Sequence, residues 1–265
     1  MHIELLSYFT TAAGASGAAA AAVSGDSLVV KNCNLAKGPA QVLNWWPSNQ
    51  AAGFHQLTFP SGHDTTRGIR ERVRITEIDL LLPLGIGFPV QPQETISATI
   101  GGSATAGDVE TGSLLLFYPD LPGVTQRTID WPTLQKRLLK ITTVDMAITG
   151  AAAGYTGSAA LNSIIDLLMA NQDYALLGIT TSLATGAVTV KGPDTGNVRV
   201  GVPGNATFTD IGIDFFCYMA RAFGLPIIPV INSGNKASTF VEILQNENNI
   251  TPTVTLMLGL LAPAK

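Results

Sequence analysis

The chain has 265 residues, a formal net charge of −4 at pH 7 and a pI near 5.3, so it holds either one large β domain or two small ones. The acidic balance excludes a body that neutralises nucleic-acid phosphates over a broad face. Only 13% of the residues are charged and 46% are hydrophobic, against about 25% charged in ordinary soluble domains, so we expect part of the apolar surface to contact other protein.

The first stretch, residues 1–25, is rich in small residues. We predict an N-terminal assembly arm, either a short helix or an extended tail that becomes ordered against a neighbour. It differs from a secretion signal because no Lys or Arg precedes the apolar part and Glu4 lies within it. Gly and Ser interrupt the Ala tract, so we predict no transmembrane helix.

The pattern of residues 26–140 predicts a first β-sandwich half. Gly and Pro clusters separate β-rich runs, which predict strands over residues 27–32, 41–46, 55–59, 69–82, 94–100 and 112–118. Within 69–82 the alternation changes phase, which predicts a bulge or bend near Thr76 and Glu77. Asp130 caps a helical pattern that runs to about Lys140 and passes into a strand over 141–148.

The pattern of residues 141–265 predicts a second β-sandwich half. After a Gly/Ala loop over 149–157, apolar residues recur at helical spacing and predict the best helix of the chain over 158–170. The stretch 174–204 predicts an antiparallel meander because turn residues separate its short strands. Further strands are predicted at the start of 209–223, which then turns helical and ends at Gly224, and over 226–231, 238–244 and 253–261.

Together these patterns predict roughly thirteen strands against two short helices, spaced as in a sandwich or barrel. The fold class is therefore all-β and antiparallel. The two halves are either separate units or one single domain, and the pattern leaves both open.

No sequence pattern indicates an enzyme, a cofactor or a metal site. Asp194-Thr195-Gly196 matches the Asp-Thr-Gly motif of aspartic proteases, but no apolar strand precedes it and the sequence has no second copy of the motif. Asp194 is therefore expected to hydrogen-bond its own turn. A site from His55, with the candidates His63, Asp64, Asp79 and Glu71, matches no metal spacing.

Two cysteines, Cys33 and Cys217, are too few for a domain built on disulfides. The pattern favours two unpaired buried thiols over a single long-range bridge.

Candidate contact residues are basic or aromatic. Arg70, Arg72 and Arg74 share one face of a strand and, with Arg67, form the basic cluster of the chain. The cluster is expected at a solvated strand edge or in salt bridges with an acidic neighbouring subunit, and phosphate or lipid headgroups are alternative contacts. Trp45 and Trp46 are adjacent on a strand, so one is expected in the core and the other at an interface.

Three segments carry a pattern-level resemblance to a known family: DYALLGITTSLATGAVTVKGPDTGNVRVGVPG, LPIIPVINSGNKASTFVEIL and TVTLMLGLLAP, all within about the last 95 residues. With these segments the chain resembles the jelly-roll coat proteins of non-tailed bacterial viruses. The resemblance implies either a tandem double jelly roll or one elaborated roll. It also implies trimers or pseudo-hexameric capsomers and an icosahedral shell, with or without an internal membrane.

The expected function is that of a major capsid protein, a self-assembling structural subunit of a virion that forms in the host cytoplasm. Its expected partners are copies of itself, other capsid proteins, and either an internal membrane or the genome. Two alternatives remain: a host-encoded cage or filament subunit, and a carbohydrate-binding or hydrolytic β-sandwich in which Trp45 and Trp46 contact sugar.

Overall fold

The structure is a computed structural model that describes residues 1–10, 24–49, 53–61, 68–73, 87–102, 109–150, 154–162, 169–205, 212, 214–245 and 250–264. Within these residues the chain forms 17 strands, and every strand pairing is antiparallel. The all-β prediction is therefore confirmed. The strands are β1 (His2–Thr10), β2 (Ser24–Gly25), β3 (Ala40–Ser48), β4 (Gly53–Thr58), β5 (Ile69–Val73), β6 (Phe88–Val90), β7 (Ser97–Gly101), β8 (Glu110–Tyr118), β9 (Thr128–Ile129), β10 (Leu138–Ala147), β11 (Gly154–Ala160), β12 (Asp173–Thr181), β13 (Thr185–Lys191), β14 (Val200–Asn205), β15 (Ile228–Asn232), β16 (Phe240–Gln245) and β17 (Thr253–Leu261).

The strands form four sheets. Sheet I has the order β2-β1-β8-β3-β6 and sheet II the order β5-β4-β7, whereas sheet III has the order β10-β17-β12-β15-β9 and sheet IV the order β11-β16-β13-β14. Sheets I and II form the first half of the chain, and sheets III and IV form the second half. Sheet membership changes between Tyr118 and Thr128, before β10, whereas the predicted division at residues 140 and 141 lies inside β10.

The two halves repeat one strand order. In the second half, the first, eighth, third and sixth strands form β10-β17-β12-β15, and the second, seventh, fourth and fifth form β11-β16-β13-β14. The first half has the same order in β1-β8-β3-β6 and in β7-β4-β5. Its second position is filled by the extended segment around Val29, which bridges to Thr95 just before β7. The short strands β2 and β9 are additions to this scheme.

Sheet I is buried on both faces. Leu6, Tyr8 and Trp45 point into the core between sheets I and II. The alternate residues Ile3 and Leu5 belong instead to the large core of the second half. Because successive side chains of a strand point to opposite faces, sheet I is packed between sheet II and the second half.

Two α-helices accompany the strands in the described part of the chain. Helix α1 (Trp131–Arg137) begins after Asp130, whose carboxylate accepts a hydrogen bond from the Thr133 amide at 2.8 Å, and it passes directly into β10 as predicted. Helix α2 (Phe215–Phe223) packs against β12 and β15 and ends at Gly224, which has a left-handed conformation with φ of 64°. Neither of these described helices is long and apolar enough to span a membrane.

The predicted N-terminal arm is wrong for residues 2–10. They form β1, which pairs with β8 along its whole length, and nearly all of them are buried. Residues 11–23 lie outside the described part of the chain. Residues 27–32 form no regular strand, but the Val30 amide donates to the Glu94 carbonyl at 2.9 Å and the Ile96 amide donates to the Leu28 carbonyl at 2.8 Å.

Four predictions in the second half are also wrong. β11 occupies the end of the loop predicted over 149–157 and the start of the helix predicted over 158–170, while residues 151–153 and 163–168 lie outside the described residues. The strand predicted to include Phe215 and Cys217 is helix α2. The meander is split, because β12 belongs to sheet III and β13 to sheet IV.

Candidate functional site

The basic cluster is described only in part. Arg70 and Arg72 lie on β5, whereas Arg67 and Arg74 fall outside the described residues. The exposed Arg70 guanidinium lies 4.3 Å from the ring centroid of Phe54 and donates through Nε and Nη2 to Gln56 Oε1 at 2.9 and 2.5 Å. These contacts hold a cation on the outer face of sheet II. Contact of the cluster with phosphate, lipid or a neighbouring subunit stays a prediction.

The two tryptophans point to opposite sides of β3, as their adjacency requires, but both sides are interior. Trp45 is 7% exposed and belongs to the core between sheets I and II. Trp46 is 4% exposed, belongs to the large core of the second half and lies 5.4 Å from the ring of Phe215 on α2. The expectation of one core ring and one interface ring is therefore corrected, because sheet I has no solvent face at β3.

Trp45 lines an apolar groove of about 200 Å³ at the side of the first half. The groove runs between sheets I and II, with Leu57 and Ile69 from one sheet and Val42 and Phe88 from the other. Glu71 is the charged residue of its lining, and the other lining residues suit an aliphatic or aromatic group.

A buried polar cluster lies in the core between sheets I and II, beside this groove. His55 is fully buried, its Nδ1 lies 3.0 Å from the Tyr8 hydroxyl, and the Trp45 indole N–H donates to the same hydroxyl at 2.8 Å. On the other side, His55 Nε2 lies 2.5 Å from the Asn49 amide, which in turn approaches a Glu110 carboxylate oxygen at 3.1 Å. Burial lowers the pKa of the His55 imidazole from 6.5 to about 3.

The cluster has no solvent opening at His55 and suits a structural role. Glu71 faces His55 across the β4–β5 pair, but His63, Asp64 and Asp79 lie outside the described residues. Among the residues that the structure does describe, no three His, Cys, Asp or Glu side chains are grouped to hold a metal ion. Cys33 and Cys217 are unpaired and buried, as favoured from the sequence.

Asp194 does not bond its own turn. Its Oδ2 accepts hydrogen bonds from the Asn232 amide and the Asn235 side chain, both at 2.9 Å, and its Oδ1 lies 3.3 Å from Arg127. Arg127 also binds Asp173 through two hydrogen bonds of 3.0 and 2.6 Å. The Arg127 guanidinium lowers the pKa of the Asp173 carboxyl. This network ties the segment that connects the two halves to the second half.

A polar seam joins sheet I to sheet IV. The Leu5 amide on β1 donates to the Arg199 carbonyl at 2.9 Å, next to the start of β14. The Arg199 side chain binds Asp26 at 2.5 Å and Glu242 at 2.7 Å, and it stacks on the Tyr155 ring at 4.1 Å. Sequence reasoning missed this seam because its members are scattered along the chain with no shared spacing.

The outer side of β10 exposes two large apolar residues, together with polar ones such as Asp145. Val144 and Met146 point into the core of the second half. Ile141, on the opposite face, is 51% exposed, and Leu139, at a register shift in the pairing with β17, is 64% exposed. β10 is an edge strand and, within the described residues, pairs only with β17. The sequence placed Ile141 in a strand, but only the sheet order shows which face lacks cover.

No protein-family profile and no curated protein sequence matches the chain. Among solved structures it is similar to the exported protein XepA of PBSX, at 10% identity over 97% of this chain and 86% of that chain, with a TM-score of 0.21. It is also similar to the major capsid protein P2 of bacteriophage PM2, at 9% identity over 98% of both chains and a TM-score of 0.22. A third is the STIV MCP, at 9% identity over 98% of this chain and 88% of that chain, with a TM-score of 0.21. At these TM-scores the likenesses establish no shared fold.

Proposed function

We propose that this chain is a major capsid protein, a structural subunit of a virion whose copies assemble into an icosahedral shell. The repeated strand order supports the proposal. Each half pairs its first, eighth, third and sixth strands in one sheet and its remaining four positions in the other. Eight strands in two such sheets are the arrangement of a jelly roll, a fold of viral capsid, lectin and cupin domains. We therefore infer a tandem double jelly roll.

The observation that carries self-assembly is a difference between two equivalent strands. β1 and β10 hold the same position in the repeated order. The outward residues Ile3 and Leu5 of β1 are covered by the second half of the same chain. The outward residues Leu139 and Ile141 of β10 are exposed. Since exposed apolar side chains on an edge strand favour association, we propose that a second copy covers this face.

The surface of the second copy follows from the packing within the chain. Sheet I packs on sheet IV through β1, β8, β13 and β14. The equivalents of β13 and β14 in the first half are β4 and β5, which carry Phe54 and the Arg70 cation. Asp145 on the outer side of β10 offers a complementary charge. Such head-to-tail contacts close into rings when the rotation allows, and a trimer or pseudo-hexameric capsomer is the ring that we propose.

The sugar-binding alternative needs accessible aromatic rings. Trp45 and Trp46, its candidate platform, are both buried within the chain. Neither indole presents an open face to a sugar ring, since Trp46 is 4% exposed and Trp45, at the wall of the apolar groove, is 7% exposed. The coat subunit is accordingly the function that we propose, and the host-encoded cage or filament is its alternative.

The test combines electron microscopy with sedimentation velocity on the full chain. Wild-type protein is expected to form closed particles or discrete oligomers, whereas Ile141→Glu and Leu139→Glu stay monomeric with unchanged circular dichroism. Leu35→Glu is the matched control, because Leu35 is 54% exposed but lies in the first half, between β2 and β3.

Each outcome decides a different part of the proposal. A wild-type monomer at micromolar concentration without particles overturns the coat function. Open helical fibres, or particles from native material that lack nucleic acid, favour the cage or filament. Assembly that survives both β10 variants removes this face as the contact.

A further inference from the structure

A second feature of the seam is a cleft of about 220 Å³ between the two halves. Glu4, Asp26 and Lys31 line it from the first half, and Lys191, Asn197 and Arg199 line it from the second half. We call it the seam cleft. It is distinct from the apolar groove and from the β10 face, and its lining is mainly charged.

Both carboxylates of the seam cleft already have partners. Glu4 forms an ion pair with Lys31 and accepts a hydrogen bond from the Tyr118 hydroxyl at 3.3 Å. Asp26 binds Arg199 at 2.5 Å and accepts from the Ser7 amide at 2.9 Å. Because each negative charge is neutralised by a neighbouring cation, neither is left to attract a cationic ligand.

Lys191 is the cation of the seam cleft that no carboxylate of the described residues holds in an ion pair. It ends β13, is half-buried, and forms no ion pair with any residue that the structure describes. Three cationic side chains and two carboxylates line the seam cleft, and Glu242, just outside the lining, is a second partner of Arg199 at 2.7 Å. Lys31 and Arg199 are therefore each held by a carboxylate, and Lys191 is left to bind a ligand. A lysine ammonium offers three hydrogen-bond donors, and the Asn197 amide beside it adds two more.

We infer that the seam cleft binds a small anionic group, a carboxylate or a phosphate, through Lys191. The volume limits the ligand. About 220 Å³ lies below the roughly 300–1,000 Å³ of pockets that enclose drug-sized molecules, so the cleft accommodates a single anionic group rather than a nucleotide. The cation and the neutral amide stabilise that group by charge-assisted hydrogen bonds. This site does not depend on the proposed assembly.

The test is calorimetric titration of the full chain with inorganic phosphate, and separately with acetate, at constant ionic strength. Wild-type protein is expected to bind at least one of these probes saturably. Lys191→Gln is expected to raise the dissociation constant at least about tenfold, since it removes a charge-assisted bond, while Lys191→Arg retains binding. Lys37→Gln is the matched control because Lys37 is exposed and lies outside the cleft.

The inference is overturned if wild-type protein binds neither probe saturably, or if Lys191→Gln and Lys37→Gln weaken binding equally. The anion is either a free ion or an acidic side chain of a second copy, and an assembly measurement on Lys191→Gln distinguishes the two. Normal assembly together with lost phosphate or acetate binding identifies a free ion. Loss of both identifies an acidic side chain of a second copy. If wild-type protein does not assemble, the titration still decides the site.

Discussion

Acid should destabilise the first half through His55. The imidazole is fully buried, with the Tyr8 hydroxyl on one side and the Asn49 amide on the other. Burial lowers its pKa from 6.5 to about 3, because a charged imidazolium is poorly solvated in the core. Two carboxylates face this site: Glu110 on β8, which Asn49 approaches, and Glu71 on β5, which is paired with His55. The folded chain therefore keeps His55 neutral where the unfolded chain protonates it.

The sign and size follow from proton linkage. Between pH 6.5 and about 3 the unfolded state binds one more proton at His55 than the folded state, so the free energy of unfolding falls as the pH falls. Each pH unit in this window costs about 1.4 kcal/mol. Between pH 6.5 and pH 4 the loss attributable to His55 is about 3 kcal/mol.

The perturbation is His55→Gln, which removes the titrating group but keeps a polar side chain. At pH 7 the variant should lose about 1–3 kcal/mol because buried hydrogen bonds are broken. Between pH 6.5 and pH 4 its free energy of unfolding should fall by about 3 kcal/mol less than that of the wild type. Urea unfolding of dispersed subunits at several pH values measures both quantities.

Tyr8→Phe separates titration from the loss of a hydrogen bond. It removes the hydroxyl that contacts His55 but leaves the imidazole buried. We expect lower stability at every pH with the wild-type slope retained. If His55→Gln shows the same slope as the wild type, His55 is not the group that couples acid to unfolding.

Three further predictions concern the second half and the thiols. Gly196→Ala should cost about 1–3 kcal/mol of unfolding free energy in a urea titration, because Gly196 has φ of 65° and a Cβ there would lie 2.4 Å from a neighbouring side chain; unchanged stability would contradict this. The native protein should react slowly with a thiol reagent, and the denatured protein should react at two thiols per chain. The reason is that Cys33 and Cys217 are buried and unpaired, and burial raises the pKa of Cys217 to about 11. Fast reaction of the native protein would refute this prediction. Asp173→Asn should cost about 1 kcal/mol at pH 7 through its contact with Arg127. That cost should vanish below the lowered pKa of Asp173, where the wild-type carboxyl is also protonated, and a cost independent of pH would argue against the ion pair.

The strands predicted best from the sequence are those with turn residues at both ends. The segment 253–261 coincides with β17, and the strands over 41–46 and 112–118 lie within β3 and β8. In these segments apolar β-rich residues are bounded by Pro, Gly or Asp, so local preference and tertiary packing agree.

The first strand was missed for a physical reason. β1 is buried on both faces, so its residues show no alternation of apolar and polar side chains. The Ala-rich stretch that follows then dominates the composition of the segment. β11 was missed because Gly154–Ala160 is built of small residues, whereas the helical spacing used for the prediction begins at Leu161. In both cases the pairing partner lies far away in the sequence.

The candidate site was less predictable than the fold. The interior position of Trp46 follows from the packing of the second half on sheet I, and the bonds of Asp194 to Asn232 and Arg127 join segments distant in the sequence. Helix α2 shows the same limit: Phe215 and Cys217 alternate like a strand, but Gly224 ends a helix that buries consecutive residues against β12 and β15.

The scarcity of charged residues has two separate physical causes in this structure. Sheet I lies between sheet II and the second half, so Ile3 and Leu5 on one face and Leu6 and Tyr8 on the other are buried for reasons internal to the chain. That burial accounts for part of the low charge without any partner. The exposed Leu139 and Ile141 on β10 are a different case, because their equivalents in the first half are covered. A chain of two stacked sandwiches leaves one such face uncovered at its end. Repeating the same packing between copies would cover it, and the prediction of self-assembly therefore depends on β10 rather than on overall composition.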